Sequence, residues 1–315
     1  MPNKARTLLI VKLAVSVALI LWITSRVDLP QVWVNFSAAD PFLLVVAFAM
    51  FFLGYVLTAF RWRTLIRSQG SDATVPQLVR SFMVGIFFNN FLPSTVGGDV
   101  VRMYDSWRIV GSKSIAFTVV FVDRFLGVIA LLGFASVALM LDEGIAAGLP
   151  FVTLWVILIA IGTILLCYLM FWPGTGETLV RLAERFLAGN ITGFLKKIMA
   201  SFKVYARHRR ALRNALGLSV LLQINVVLHY TLLARSVGIV IPIESMFLVV
   251  PIAVFVMMVP ISINAIGVRE AIFIFIFSQY GVAEEQSLLV GLIAYGFSLL
   301  QGTLGGVVFA LRRYT

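Results

Sequence analysis

Pro41-Phe-Leu-Leu-Val-Val-Ala-Phe-Ala-Met50-Phe-Phe-Leu-Gly-Tyr-Val-Leu-Thr-Ala-Phe60 carries no charge over its whole length. An α-helix needs about 20 apolar residues to cross the hydrocarbon of a bilayer, and this stretch supplies them in a row. Two other charge-free runs are longer, Ile145 to Gly176 and Gln286 to Leu311. A transmembrane barrel would instead alternate over segments of about ten residues, which these runs do not do. Of the 315 residues, 61% are hydrophobic and 12% charged, and the mean hydropathy is +1.01. That leaves too little polar surface to coat a water-soluble globule of this size, so lipid is the main solvent.

The basic residues orient the chain. Lys4, Arg6 and Lys12 precede or open a first span at about residues 7–25, and Arg61, Arg63 and Arg67 follow the span quoted above. Both ends of that helical pair therefore face the cytoplasm by the positive-inside rule, joined outside by a short loop with Arg26, Asp28 and Asp40. No small-residue cleavage site follows Trp22, so the first helix is expected to be retained and not removed as a signal peptide. Further spans are expected at residues 114–141, 150–172, 214–234 and 285–311, which makes about six. Of the 25 Lys and Arg residues, only Arg26, Arg235 and Arg269 fall away from the cytoplasmic side or from segments entering from it. The net charge of +11 is thus a topological signal. No nucleic-acid-reading motif accompanies it. Residues 177–213 are the most basic stretch, and Leu182, Phe186, Leu195, Ile198, Met199, Phe202 and Tyr205 recur there at helical spacing. This predicts an interfacial amphipathic helix, or a helix pair broken near Gly189 to Gly193, on the anionic cytoplasmic leaflet.

Two stretches break the apolar pattern in the same way. One is Asn89-Asn90-Phe91-Leu92-Pro93-Ser94-Thr95-Val96-Gly97-Gly98-Asp99-Val100-Val101-Arg102, within residues 80–102, whose two ends are both basic. The other is Pro260-Ile261-Ser262-Ile263-Asn264-Ala265-Ile266-Gly267-Val268-Arg269-Glu270, within residues 245–281. The topology requires the first to enter and leave on the cytoplasmic side and the second on the outer side. Broken helix at membrane depth is tolerated only where protein or a water-filled cavity surrounds it. Two re-entrant hairpins from opposite faces, turning at Pro93, Gly97, Gly98, Pro260 and Gly267, satisfy both demands. Paired interrupted segments of this kind point to a transport site between the halves. The expected architecture is a single all-α polytopic domain spanning residues 1–315, with two opposed hairpins and one interfacial helix.

The first motif, Asp123-Arg124 with Gly127, and Gly267-Val268-Arg269-Glu270 together resemble the family named after the transmembrane region of lysylphosphatidylglycerol synthase, also called flippase-like membrane proteins. The resemblance covers nearly the whole chain. It implies a lipid-handling role, because in the fused members this region moves an aminoacylated phospholipid between leaflets. The aminoacyl-transferase domain of those members would follow the last span, whereas this sequence ends at Thr315, so it is not expected to make lysyl-lipid by that route. Ala265 stands where the family pattern has a second glycine before Gly267.

A head group crossing the core brings its phosphate, and the planar guanidinium fork matches phosphate oxygens. Arg102, Arg124 and Arg269 are the expected contacts, with Asp99, Asp123 and Glu270 close in sequence to neutralise them when the site is empty. Asn89, Asn90, Ser94, Thr95 and Asn264 add hydrogen-bonding groups. The alternative is that Asp123-Arg124 and Arg269-Glu270 are ion pairs that merely fix helices against neighbours. His229 is expected to make a helix–helix hydrogen bond. No residue set has the spacing of a metal site, no nucleotide loop is present, and no cofactor or catalytic residue is expected. The reading is a lipid translocase of the bacterial inner membrane, multi-pass with both termini cytoplasmic, working on an anionic or aminoacylated phospholipid or a polyprenyl-phosphate lipid. A glycosyltransferase using polyprenyl-phosphate sugars, with Asp99 or Asp105 as base, is the alternative, followed by an accessory subunit of a lipid-modifying enzyme. Membrane lipids are the expected partners; a homo-oligomer is left open.

Overall fold

A computed structural model of the chain describes residues 13–14, 16–25, 27–91, 97–141, 150–171, 189–258, 262 and 264–312. Pro93, Ser94, Thr95 and Pro260, and residues 177–188 of the basic stretch, lie outside that set. The regular structure of the described residues is α-helical: α1 (Ser16–Thr24), α2 (Leu29–Ser37), α3 (Pro41–Ser68), α4 (Val75–Phe91), α5 (Gly97–Val110), α6 (Lys113–Leu141), α7 (Pro150–Phe171), α8 (Gly189–Arg207), α9 (Arg209–Ser236), α10 (Ile243–Met257), α11 (Val268–Ser278) and α12 (Glu284–Leu311).

Four of the described helices, α3, α6, α9 and α12, are long and apolar enough to cross a membrane. The pair α1 and α2, bent by 87°, raises this to five if it is one span. The loop expected after the first span is therefore partly helix. Pro30 sits in the first turn of α2, where a missing backbone N–H costs nothing. Val32 is its one buried residue, while Leu29, Trp33, Val34 and Phe36 are exposed, as suits a helix lying at an interface.

The longest contact joins α3 to α9. Arg61 meets Ser219, Met50 meets Asn225 and Ala47 meets His229, an order that makes the two helices antiparallel. Asp40 starts α3 by accepting from the N–H groups of Phe42 and Leu43 at 2.8 and 3.2 Å, and its own N–H donates to Ser236 at the end of α9. At the other end, Arg63 and Arg67 both grip Asp72 beyond the last turn of α3. Hydrogen bonds from Arg67 and Arg63 hold that exposed carboxyl well below the usual carboxylate range.

The described part of the basic stretch is divided between two helices. α8 ends at Arg207, and Arg209, Arg210 and Arg213 begin α9, so they belong to the start of a spanning helix. Ile198, Phe202 and Tyr205 are buried with Leu65, Val122 and Leu126. The apolar stripe of α8 thus docks on α3 and α6, leaving Lys196, Lys197 and Lys203 on the exposed side.

Each interrupted segment has a described helix on either side of it. In the first, α4 packs against α5, α3 and α12; in the second, α10 and α11 pack between α6 and α12. Glycines set the close approaches. A Cβ on Gly98 would lie 2.6 Å from the carbonyl oxygen of Gly85, which brings α5 against α4. On α12, a Cβ on Gly305 would lie 2.1 Å from the Met83 carbonyl oxygen. Small residues at such crossings let helix backbones approach in lipid, where no hydrophobic effect drives them together.

Candidate functional site

Asp123 lies one third of the way along α6 and is completely buried. Arg61 of α3 grips it in a fork, Nε to Oδ1 at 2.6 Å and Nη2 to Oδ2 at 3.0 Å, while Arg61 Nη1 donates to Ser219 Oγ at 2.9 Å. Arg102 of α5 donates from Nη2 to Asp123 Oδ2 at 2.6 Å. Its guanidinium carbon lies 4.6 Å from the ring centroid of Trp62 and 5.5 Å from that of Phe82. Such stacking suits a delocalised, weakly hydrated cation. Asp99, one turn before Arg102, is held by Arg124, Nε to Oδ1 at 3.0 Å and Nη2 to Oδ2 at 2.9 Å. Its oxygen also sits 3.8 Å from Arg102 Nη1. Three guanidiniums thus face two carboxylates, leaving one net positive charge.

This network corrects two expectations. Asp123 and Arg124 are not a pair: adjacent residues on a helix point about 100° apart, so each finds its partner on a different neighbour. Arg269 and Glu270 are not a pair either. The Glu270 carboxylate accepts from the Gly267 N–H at 2.6 Å and so closes the first turn of α11. Arg61 is the residue that sequence reading missed. It was counted with the cytoplasmic flank, yet it is only 6% exposed and anchors the network. No local signal marks it, because its partner is 62 positions away.

Asn89, Gly98, Asp99, Arg102, Asp123 and Arg124 line one cavity of about 250 Å³, with Arg61, Thr58 and Gln223. Asn89 Oδ1 accepts the Gly98 N–H at 2.7 Å, so one amide at the start of α5 is already occupied. A second cavity, of about 350 Å³, is lined by Asn264, Arg269, Asn225, His229, Tyr230 and Phe51, among others. Val254 of α10 and Met258, just after its last residue, line both cavities. His229 Nδ1 meets the Ala47 carbonyl oxygen at 2.9 Å, the expected helix–helix hydrogen bond.

The two breaks touch through asparagines. Asn264 Nδ2 donates to Asn90 Oδ1 at 3.0 Å, and Asn90 is tied to α12 through the Ser298 carbonyl oxygen and hydroxyl at 2.5 and 3.1 Å. The turn at Asn264 is left-handed: φ is 49° at Asn264, 59° at Ala265 and 82° at Gly267. Asparagine tolerates that region and glycine prefers it, whereas alanine is strained there. A Cβ on Gly267 would also lie 2.6 Å from Leu19 Cβ, so α1 presses on this turn.

Buried arginines in two neighbouring cavities, among helices long and apolar enough to cross a bilayer, define a polytopic all-α membrane protein. The chain belongs to the family described as the lysylphosphatidylglycerol synthase transmembrane region, which it matches over residues 9–306. It is 27% identical over 136 residues to a UPF0104 membrane protein of Pyrococcus horikoshii, covering 42% of this chain and 41% of that protein. It is 28% identical over 116 residues to a UPF0104 membrane protein of Methanocaldococcus jannaschii, covering 36% and 34% respectively. The matched stretches span less than half the length of those relatives.

Proposed function

We propose that the chain is a lipid translocase in which α4–α5 and α10–α11 are re-entrant hairpins entering from opposite faces, with both termini in the cytoplasm of a bacterial cell. The observation that supports this reading is the pair of cavities that share Val254 and Met258 in their linings, each with a buried guanidinium in its wall. A head-group phosphate exchanged between Arg102 and Arg269 would cross the protein while its acyl chains stay in lipid. Asn89, Arg124 and Asn264 line the route, and Asn90 closes it between the two breaks. Retaining an ionisable group in the membrane interior costs about 2.5–3.5 kcal/mol each on the insertion scale, which argues for use.

The glycosyltransferase alternative draws no support from the carboxylates it would use. Asp105 receives both terminal nitrogens of Arg312, at 2.7 and 2.9 Å, and the Ser81 hydroxyl as well. Asp99 is held by two nitrogens of Arg124.

The test is purified protein in liposomes with phospholipids labelled by a dithionite-quenchable dye. Protein-dependent loss of the protected inner-leaflet signal is expected for phosphatidylglycerol, its aminoacylated form or polyprenyl phosphate. No movement of any of the three overturns the translocase.

A further inference from the structure

The second cavity holds most of the unsatisfied polar atoms in the described interior. Arg269 is 8% exposed, and its Nε and Nη1 have no hydrogen-bond partner. Its remaining contacts are weak: Nη2 lies 3.3 Å from the Asn264 carbonyl oxygen, and the guanidinium carbon is 5.7 Å from the Tyr295 ring centroid. His229 is 4% exposed and Asn225 6%, and His229 Nε2 and Asn225 Oδ1 are also without partners. All three residues line the same cavity.

The open atoms have defined polarity. A carbonyl oxygen only accepts, so the 2.9 Å contact with Ala47 places the proton of the neutral ring on Nδ1 and leaves Nε2 an acceptor. Asn225 Nδ2 donates to the Met50 carbonyl oxygen at 3.1 Å, which leaves its Oδ1 as the unpartnered acceptor. The residues that line the cavity thus carry two unpartnered cationic donors, both on Arg269, and two unpartnered neutral acceptors. A bare phosphate would satisfy the arginine and leave both acceptors facing oxygen lone pairs. A buried polar group left unmade is disfavoured more than the same bond is favoured when made.

We infer that the Arg269–His229–Asn225 cavity is a head-group station selective for a phosphodiester that carries a hydroxyl or ammonium donor beside its phosphate. The phosphate oxygens take Arg269, and the donor reaches His229 Nε2 or Asn225 Oδ1. On α9, His229 is ten residues beyond Ser219, the Arg61 contact, a rise of about 15 Å. The station thus lies past the Asp123 network along the same helix. That the ligand is a lipid rests on the translocase reading; the donor-and-acceptor chemistry does not.

The test compares phosphatidylglycerol with phosphatidylmethanol, which has the same charge and no hydroxyl, and with soluble glycerol 3-phosphate. Binding is measured on the full chain in nanodiscs. Phosphatidylglycerol should bind about tenfold more tightly than phosphatidylmethanol, the scale of one good buried hydrogen bond. The chain has 2 histidines, so the ¹⁵N signal of His229 Nε2 is assignable; it should shift with phosphatidylglycerol and not with phosphatidylmethanol. In Arg269→Met the preference should vanish together with the shift. Equal affinities with a stationary His229 signal mean the cavity holds only water, and overturn the inference. Glycerol 3-phosphate binding as tightly as phosphatidylglycerol overturns the lipid source. Selective binding without leaflet exchange in the dithionite assay defeats the translocase alone, and exchange without selectivity defeats this inference alone.

Discussion

The two interrupted units treat their buried arginine in opposite ways. Arg102, on the first, donates to Asp123, stacks on Trp62 and shares its carboxylate with Arg61. Arg269, on the second, ends against one carbonyl oxygen, and its neighbour Glu270 is turned to the Gly267 N–H. The first site is closed by its own counter-charge, so an incoming anion must compete with Asp123. The second is open, and an anion entering it displaces no carboxylate. A buried cation with a partner is an element of the scaffold as well as a site. A buried cation without one carries a cost that a ligand would relieve.

The largest effect expected from this contrast is at Asp123. Asp123→Ala strands Arg61 and Arg102 together and should destabilise the protein by about 3–5 kcal/mol, the usual result of removing one partner of a buried ion pair. Thermal unfolding of the purified variant in detergent would read it. A midpoint near that of the parent would mean that the network is dispensable.

Arg269→Met should go the other way. No carboxylate is left behind, and removing an uncompensated cation gains up to about 3 kcal/mol on the insertion scale. A raised unfolding midpoint together with lost lipid movement is the expected signature, whereas a fall as deep as that of Asp123→Ala would show that Arg269 is paired after all.

The glycine contact on α12 sharpens the comparison from the packing side. Gly305→Ala sets a methyl carbon against the Met83 carbonyl oxygen of α4 and should cost about 1–3 kcal/mol, as overpacking does. The same substitution at Gly296, which has open space around it, should change little. Alanine raises helix propensity at both positions, so comparable changes in the two variants would mean that the close approach at Gly305 carries no cost of its own.

The smallest expected change is a gain. Ala265 holds a left-handed φ of 59°, so Ala265→Gly should stabilise the second break by about 1 kcal/mol. Hydrogen exchange at the Arg269 amide, which donates to the Ala265 carbonyl oxygen at 2.8 Å, would slow accordingly. Faster exchange would mean that the glycine loosens the turn.

Much of the architecture was legible because lipid imposes it. Long charge-free runs can satisfy their backbone in hydrocarbon only as helices. Apolar length therefore marked α3, α6, α9 and α12, although α3 runs on past Phe60 to Ser68 and α9 begins before residue 214, at Arg209. Pro, Gly and Asn in the middle of apolar sequence marked both breaks for the same reason. Less was legible at the site. Asn89, Asp99, Arg102, Asp123 and Arg124 do line one cavity, and Asn264 and Arg269 line its neighbour. Asp99 does lie 3.8 Å from Arg102, but Asp123 does not pair with Arg124 nor Glu270 with Arg269, because nearness in sequence is not nearness in space. Glu270 proved to be a helix cap, and the apolar face of α8 proved to be docked on protein.

What the amino-acid sequence determined by itself is the kind of solvent the chain lives in, where it is helical and where the helices break. Those properties depend on each segment and its surroundings in bulk. Tertiary structure alone decided which charges meet: Arg61 with Asp123, Arg124 with Asp99, Arg312 with Asp105, and nothing with the two open nitrogens of Arg269. Partner choice depends on how each helix is rotated and how closely glycines let it approach, and neither is written in any one segment.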